Sequence, residues 1–391
     1  MSNHRFFTMK VPAEFDDIRA FYDEETSSTV SEILQQPQIV PILRMLLGDD
    51  NAEYFIKNLP KMSTITDFQR EVIVVLLTAL EYKTCKSVNL YGCGNINPGS
   101  GHIFMSNHRD IVLDSAFLNE HLFFKGFDTT QIGIGNNLLI YPWIEKLVRV
   151  NKSFIVKRDG GIKEQLLISK QLSRYIRYVV CHNKESVWLA QREGRAKDSD
   201  DRTQHSVIKM LDMSSDCASF AESMNSLGIL PVAINYEYDP CDYLKAKELQ
   251  QKRDNPGFKK TPADDLLSMQ TGILGMKGRV SFVIAPQLEF SADIDDMPRQ
   301  DRFTYVAEAV DKAIHANYIL YPNNYVAADL LMRENRFAGK YEAKDVQAFE
   351  RYVSSRVAMV NLPGKDEAFL RDKILHMYAN PAINQLRSQL I

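Results

Sequence analysis

The densest group of reactive side chains in the chain lies in FMSNHRDIVLDSAF, residues 104–117. An apolar run, Ile103 to Met105, ends in Ser106-Asn107-His108-Arg109-Asp110, and an apolar helical stretch containing Asp114 follows. Strand ends are where α/β folds present ligand-binding and catalytic groups. A neutral imidazole at such a point takes the proton of a hydroxyl near pH 7. A carboxylate on its other nitrogen fixes the tautomer and stabilises the imidazolium that forms. Asp114, in the first turns of the helix, is placed for that part; Asp110, two positions from His108, is the alternative. Each of the two also suits a plain role, Asp110 as a helix N-cap and Asp114 as a negative charge at a helix start.

Two further segments bring charge to strand ends, and a third carries a proline within its strand. In FIVKRDGG, residues 154–161, Lys157 and Arg158 arrive together before Asp159 and two glycines. Two cations there suit a phosphate, which Arg can clamp bidentately. In VWLAQREGRAKDSDDRT, residues 187–203, an apolar run leads into Arg192-Glu193-Gly194-Arg195. Glu193 suits a polyol hydroxyl, Gly194 permits close backbone approach, and Arg195 reaches toward the same anion as Arg158. Positions 197–202 read as a hydrophilic loop. In GILPVAINYEYDP, residues 228–240, Pro231 interrupts an apolar strand. That confines it to an edge, a strand start or a bulge, where it shapes a wall.

These residues need a scaffold, and the pattern of the chain supplies one. Residues 12–83 read as helical, punctuated by Pro37, Pro41 and Pro60. Short apolar runs at 87–91, 102–106, 131–134, 153–157, 186–190, 229–235 and 279–284 read as strands, with helical stretches at 111–122, 141–149, 161–178, 203–213 and 240–252 between them. The chain then reads as helical at 301–319, 323–336, 343–359 and 365–379, with breaks at Pro322, Gly339 and Pro363-Gly364. Strands alternating with helices predict an α/β fold: a central mixed sheet with helices packed on it, flanked by helical segments. The expected division is 1–85 helical, 86–295 catalytic and 296–391 helical.

The bulk properties exclude several function classes. A length of 391 residues at 45% hydrophobic composition builds a sizeable core. A net charge of −3, with no long block of like charge, gives no electrostatic case for nucleic acid. The five cysteines, Cys85, Cys93, Cys181, Cys217 and Cys241, show no metal-type spacing and read as reduced thiols. His102, His108 and His121 match no familiar metal spacing. The N-terminus lacks the apolar core of a signal peptide. The longest apolar run, Val72 to Leu80, is about half of the ~20 residues a membrane span needs. Peripheral membrane contact stays open through the apolar faces of 30–47 and 141–149, the latter with Trp143. No Gly-x-Ser-x-Gly elbow occurs, and Cys181 and Cys217 have no base near them in sequence, so a covalent nucleophile is not favoured.

Taken in order, His108…Asp114, then Phe154-Ile155-x-x-Arg158, then Glu193-Gly194-Arg195, then Pro231 in its apolar strand resemble the glycerolipid acyltransferase superfamily over roughly residues 86–290. That superfamily includes the glycerol-3-phosphate and 1-acylglycerol-3-phosphate acyltransferases. The stretches Leu230–Tyr238, Tyr243–Leu249, Gly278–Phe282, and Gly135–Leu139 with Pro142 look most like the glycerol-3-phosphate branch. The resemblance implies His108 as general base oriented by Asp114. It implies Asn107, Arg109, Lys157, Arg158, Glu193, Gly194, Arg195 and Pro231 at the substrates, Arg158 on the acceptor phosphate and Pro231 lining the acyl or acceptor pocket. It further implies acyl-CoA or acyl-carrier protein as co-substrate, direct transfer with no metal or redox cofactor, and a cytoplasmic setting at the inner face of a membrane. Three features depart from the family pattern. Five residues separate His108 from Asp114 where four are usual, Asp110 stands where Ser is usual, and Arg195 follows Gly194 directly. The alternatives are acyl transfer to another lipid hydroxyl, such as that of an amino-lipid, and a non-catalytic lipid- or acyl-carrier-binding protein. The altered His–Asp spacing favours the second.

Overall fold

A computed structural model describes residues 9–158 and 160–389; Asp159 lies outside the described residues. The seven apolar runs form one sheet: β1 Cys85–Tyr91, β2 Ile103–Ser106, β3 Gln131–Gly135, β4 Ser153–Val156, β5 Val187–Ala190, β6 Ile229–Tyr236 and β7 Gly278–Ile284. Their spatial order is β1-β7-β6-β2-β5-β3-β4. Neighbours run parallel except β6 and β7, which are antiparallel, so the sheet is mixed.

Five helices precede the sheet: α1 Asp23–Leu34, α2 Ile39–Leu47, α3 Asp49–Asn58, α4 Ile65–Phe68 and α5 Val74–Thr84, the last two joined by a wide turn at Gln69–Ile73. Between strands lie α6 Leu113–Phe124, α7 Pro142–Val150, α8 Ile162–Arg177, α9 His205–Asp212, α10 Phe220–Asn225, α11 Asp242–Asp254 and α12 Pro262–Leu274. Then come α13 Arg299–Ala316, α14 Pro322–Met332, α15 Ala343–Met359 and α16 Glu367–Ser388, which continues through Pro381 past the predicted end at 379.

Both sheet faces are apolar because successive side chains of a strand point to opposite sides. Ile103, Met105, Val187 and Leu189 meet Leu172, Tyr175 and Ile176 of α8, Ile208 and Leu211 of α9, and Val306, Val310 and Ile314 of α13. Phe104 and Trp188 face the other way, with Leu77 and Leu80 of α5 and Phe117, Leu118 and Leu122 of α6. Each large side chain so buried contributes roughly 1.5–3 kcal/mol. This is why the central strands are short continuous apolar runs rather than alternating ones. A separate cluster joins Ala246 of α11 to Val326, Phe349, Val353, Leu370 and Ile374 of α14 to α16. Another joins Val30 and Ile33 of α1 and Phe55 of α3 to Leu147 and Val150 of α7.

Helices α10 and α12 are absent from the sequence expectation. The start of α12 carries a readable signal. Thr261 and Asp264 form a reciprocal capping box, with Pro262 at the first helical position. Pro231 sits in an interior strand, not at an edge, but just ahead of the first β6–β7 pair, Val232 with Ile284, so its missing N–H removes no rung of that ladder. Because β2, β3, β4 and β5 run parallel, the loops at 107–112, 136–141 and 191–204 and the residues 157–158 share the carboxyl edge of the sheet, where open α/β sheets bind ligands.

Candidate active site

At the carboxyl end of β2 the chain leaves the sheet through Asn107, whose side chain extends the ladder to β6. Its amide donates to the Ile234 carbonyl at 2.9 Å and its oxygen accepts the Ile234 N–H at 2.8 Å. The next residue, His108, places Nδ1 2.8 Å from Asp114 Oδ2. That oxygen also accepts the backbone N–H of Arg109 at 2.6 Å and of Asp110 at 3.0 Å. A carboxylate held by three donors is fixed in place, and it draws the imidazole proton to Nδ1. Nε2 makes no hydrogen bond among the described residues and is left as the basic nitrogen at the cavity that His108 lines. The indole of Trp188 packs edge-on against the imidazole at 5.7 Å and donates to Ser106 Oγ at 3.1 Å, which restricts the ring.

The five-residue spacing does not keep the pair apart, because a turn at Ile111-Val112 precedes the helix. Asp110 does not meet His108. Its Oδ1 accepts the N–H groups of Val112 at 2.9 Å and Leu113 at 2.8 Å, capping α6. Burial, then the nearby charge of Asp114, raises its pKa. Its other oxygen packs so tightly on α12 that a Cβ on Gly272 would lie 2.0 Å from it. Below Asp114, burial first and the Asp114 and Asp110 charges next push the Tyr236 phenol well above its usual value, so it keeps its proton.

Two residues expected at the substrate are turned away from it. Arg109 is buried and binds Asp201 bidentately, Nη1 to Oδ1 at 2.8 Å and Nη2 to Oδ2 at 2.6 Å. Asp201 also accepts the Tyr318 hydroxyl. With Asn107 committed to β6, both polar side chains beside His108 are spent on protein partners. Pro231 is likewise outside the cavity lining. Asp201 and Lys197, expected in a solvated loop, are respectively fully buried and turned into the cavity.

The cavity encloses about 750 Å³ at the carboxyl edge of the sheet. Its walls are apolar, from Ile134, Leu138, Ile144, Val156, Ile168, Leu172, Leu189 and Met210. Its charged lining is mostly cationic: Lys157, Arg158, Arg192, Arg195, Lys197 and Lys260, against Glu193 and Asp265. Arg158 Nη1 donates to Glu193 Oε1 at 3.0 Å, in an exposed pair that a ligand can open. Lys157 pairs with Asp17. Gly194 has φ +67°, a left-handed turn that delivers Arg195 to the interior. Arg195 is 6% exposed, and its Nη1 has no hydrogen-bond partner among the described residues; the same holds for Arg192 Nε. Buried guanidinium groups with open donors are what a phosphate completes. Lys197 and Lys260 share Glu248, at 2.9 and 3.3 Å. Burial, then Arg195, brings Lys197 down to about 7. Against burial, Lys197, Lys252 and Lys260 hold Glu248 down to about 2.

The fold and site thus define a mixed α/β protein with a His–Asp pair at the carboxyl edge of its sheet, above a cavity that has apolar walls and an excess of cations among its charged groups. No family model matches the chain, and no curated protein matches it. Among solved structures it is similar to the crystal structure of PlsC, the 1-acyl-sn-glycerophosphate (LPA) acyltransferase from Thermotoga maritima, at 13% identity and a TM-score of 0.35, over 76% of this chain and 96% of that one.

Proposed function

We propose that the chain is an O-acyltransferase of phospholipid biosynthesis. It moves a fatty acyl group from acyl-CoA or acyl-carrier protein to a hydroxyl of glycerol 3-phosphate or 1-acylglycerol 3-phosphate. The observation that carries this reading is His108, held by Asp114 at Nδ1 and open at Nε2, on a cavity with an apolar wall for an acyl chain and cations for a phosphate. His108 takes the proton of the acceptor hydroxyl as its oxygen attacks the thioester carbonyl. The tetrahedral adduct collapses, the C–S bond breaks, and the thiolate leaves readily because thiol pKa values are about 8.5. Arg158, Arg195 and Lys197 hold the phosphate, and holding both substrates in line supplies much of the rate. The test is product identification with labelled acyl-CoA and acyl-carrier protein, each offered glycerol 3-phosphate, 1-acylglycerol 3-phosphate and an amino-lipid. Ester formed only on the amino-lipid overturns the acceptor class, and ester formed on none overturns the reading.

Two outcomes follow from the phosphate end. A Cβ on Gly135 would lie 2.5 Å from Asn137 Oδ1 and 2.7 Å from Arg158 Nε, and both belong to side chains that line the cavity, so Gly135→Ala displaces Asn137 and Arg158 together rather than backbone of the sheet. The acceptor KM is expected to rise roughly tenfold or more, the size of one charge-assisted contact, with kcat changed less. Steady-state kinetics and a thermal melt check this. Only protonated Lys197 attracts an anion, so kcat/KM for the acceptor falls as pH is raised through about 7, and the Lys197→Met profile lacks that limb.

The rim of the cavity fits peripheral contact with a membrane, from which the second substrate would enter. Tyr141 at the start of α7, Leu166 and Leu167 on α8, and Leu266 and Leu267 on α12 are exposed, and residues of α7, α8 and α12 line the cavity. No described helix is long and apolar enough to cross a membrane. Absence of co-sedimentation with anionic liposomes removes this part of the reading.

A further inference from the structure

We infer a divalent-metal site between α5 and α6, with Glu81, Glu120 and His121 as ligands and zinc as the ion that best fits the donors. One ligand atom from each of the three lies within 4.8 Å of the other two. His121 Nε2 is 3.1 Å from Glu81 Oε2. Glu120 is 1% exposed; its Oε1 accepts the Thr78 hydroxyl at 2.8 Å, while its Oε2 is buried with no hydrogen-bond partner among the described residues. A buried carboxylate oxygen without a partner is costly, and a cation between the three groups supplies the partner.

The donor set is one imidazole and two carboxylates, which suits zinc better than magnesium or calcium. Zinc bonds of about 2 Å place tetrahedral donors roughly 3.3 Å apart; His121 Nε2 and Glu81 Oε2 already stand 3.1 Å apart, so the closing needed is between that pair and Glu120, within 4.8 Å of it. Rotation of the partly exposed Glu81 and His121 side chains covers that, and Thr78 already orients Glu120 from behind. A fourth position is left to water. None of the three lines the cavity, so the ion is structural. It ties α5 of the N-terminal helices to α6, whose first turn carries Asp114. This inference stands apart from the acyl-transfer reading.

The experiment is titration of the full-length, metal-stripped, tag-free chain with zinc chloride by calorimetry, with a thermal melt beside it and magnesium chloride as comparison. The site predicts one zinc per chain, a melting temperature that rises with zinc by mass action and not with magnesium, and affinity lowered tenfold or more in Glu120→Gln and in His121→Ala. Glu81→Gln, at a partly exposed position, keeps the test available if the buried Glu120→Gln or the His121→Ala variant fails to fold, and a similar loss is expected there. Absence of saturable zinc binding, or parental affinity in the folded variants, overturns the site.

Discussion

Asp114→Asn is expected to lower kcat/KM for acyl transfer by about 10²- to 10⁴-fold, the range that a positioned general base contributes. The carboxylate takes three N–H groups on one oxygen, from His108 Nδ1, Arg109 and Asp110. An amide of the same shape keeps an oxygen there but carries no charge. It neither holds the proton on Nδ1 in the free protein nor stabilises the imidazolium formed during transfer. The loss is therefore expected to fall mainly on kcat, and acceptor KM, which in the proposed mechanism rests on Arg158, Arg195 and Lys197, is expected to move little. Circular dichroism and a melting curve separate this from unfolding. A folded variant within about threefold of the parent places the base elsewhere.

The second large effect is on stability. Asp201→Ala removes the partner of a guanidinium that is 4% exposed and leaves Arg109 charged and unpaired in the interior. Breaking one side of a buried pair costs about 3–5 kcal/mol, whereas replacing both sides with apolar residues of similar volume is often neutral. Urea unfolding is expected to show the full loss in Asp201→Ala and most of it restored in Arg109→Met combined with Asp201→Leu. A single-variant loss below about 1 kcal/mol contradicts the buried pair. The double variant also bears on function: Arg109 stands next to His108, yet activity should persist because its side chain points away from the cavity.

That contrast shows where sequence reasoning reached and where it stopped. The seven strands were legible because each is a short apolar run bounded by polar residues or glycine, and the residues on the carboxyl edge follow from strand direction. The identity of the carboxylate that meets His108 was not, because it depends on the turn at 111–112, and both Asp110 and Asp114 satisfied the residue-type requirement. Arg109 and Asn107 look like substrate ligands by type and neighbourhood. Their partners, Asp201 and Ile234, are distant in sequence and become visible only once the helices have packed. Lys197 and Asp201 stand in one charged run that reads as solvated, yet the fold turns one into the cavity and buries the other. Helix α12, which brings Asp265 and Met269 to the cavity wall and Gly272 against Asp110, was signalled by its capping box and Pro262 alone.

The most direct test is thioester-dependent acylation by the purified parent and by His108→Ala, with thiol release and ester product followed together. The expected result is ester on a glycerol-phosphate acceptor in stoichiometric step with thiol release by the parent, and a loss of about 10²-fold or more in a folded His108→Ala. Acyl transfer that survives His108→Ala would contradict it.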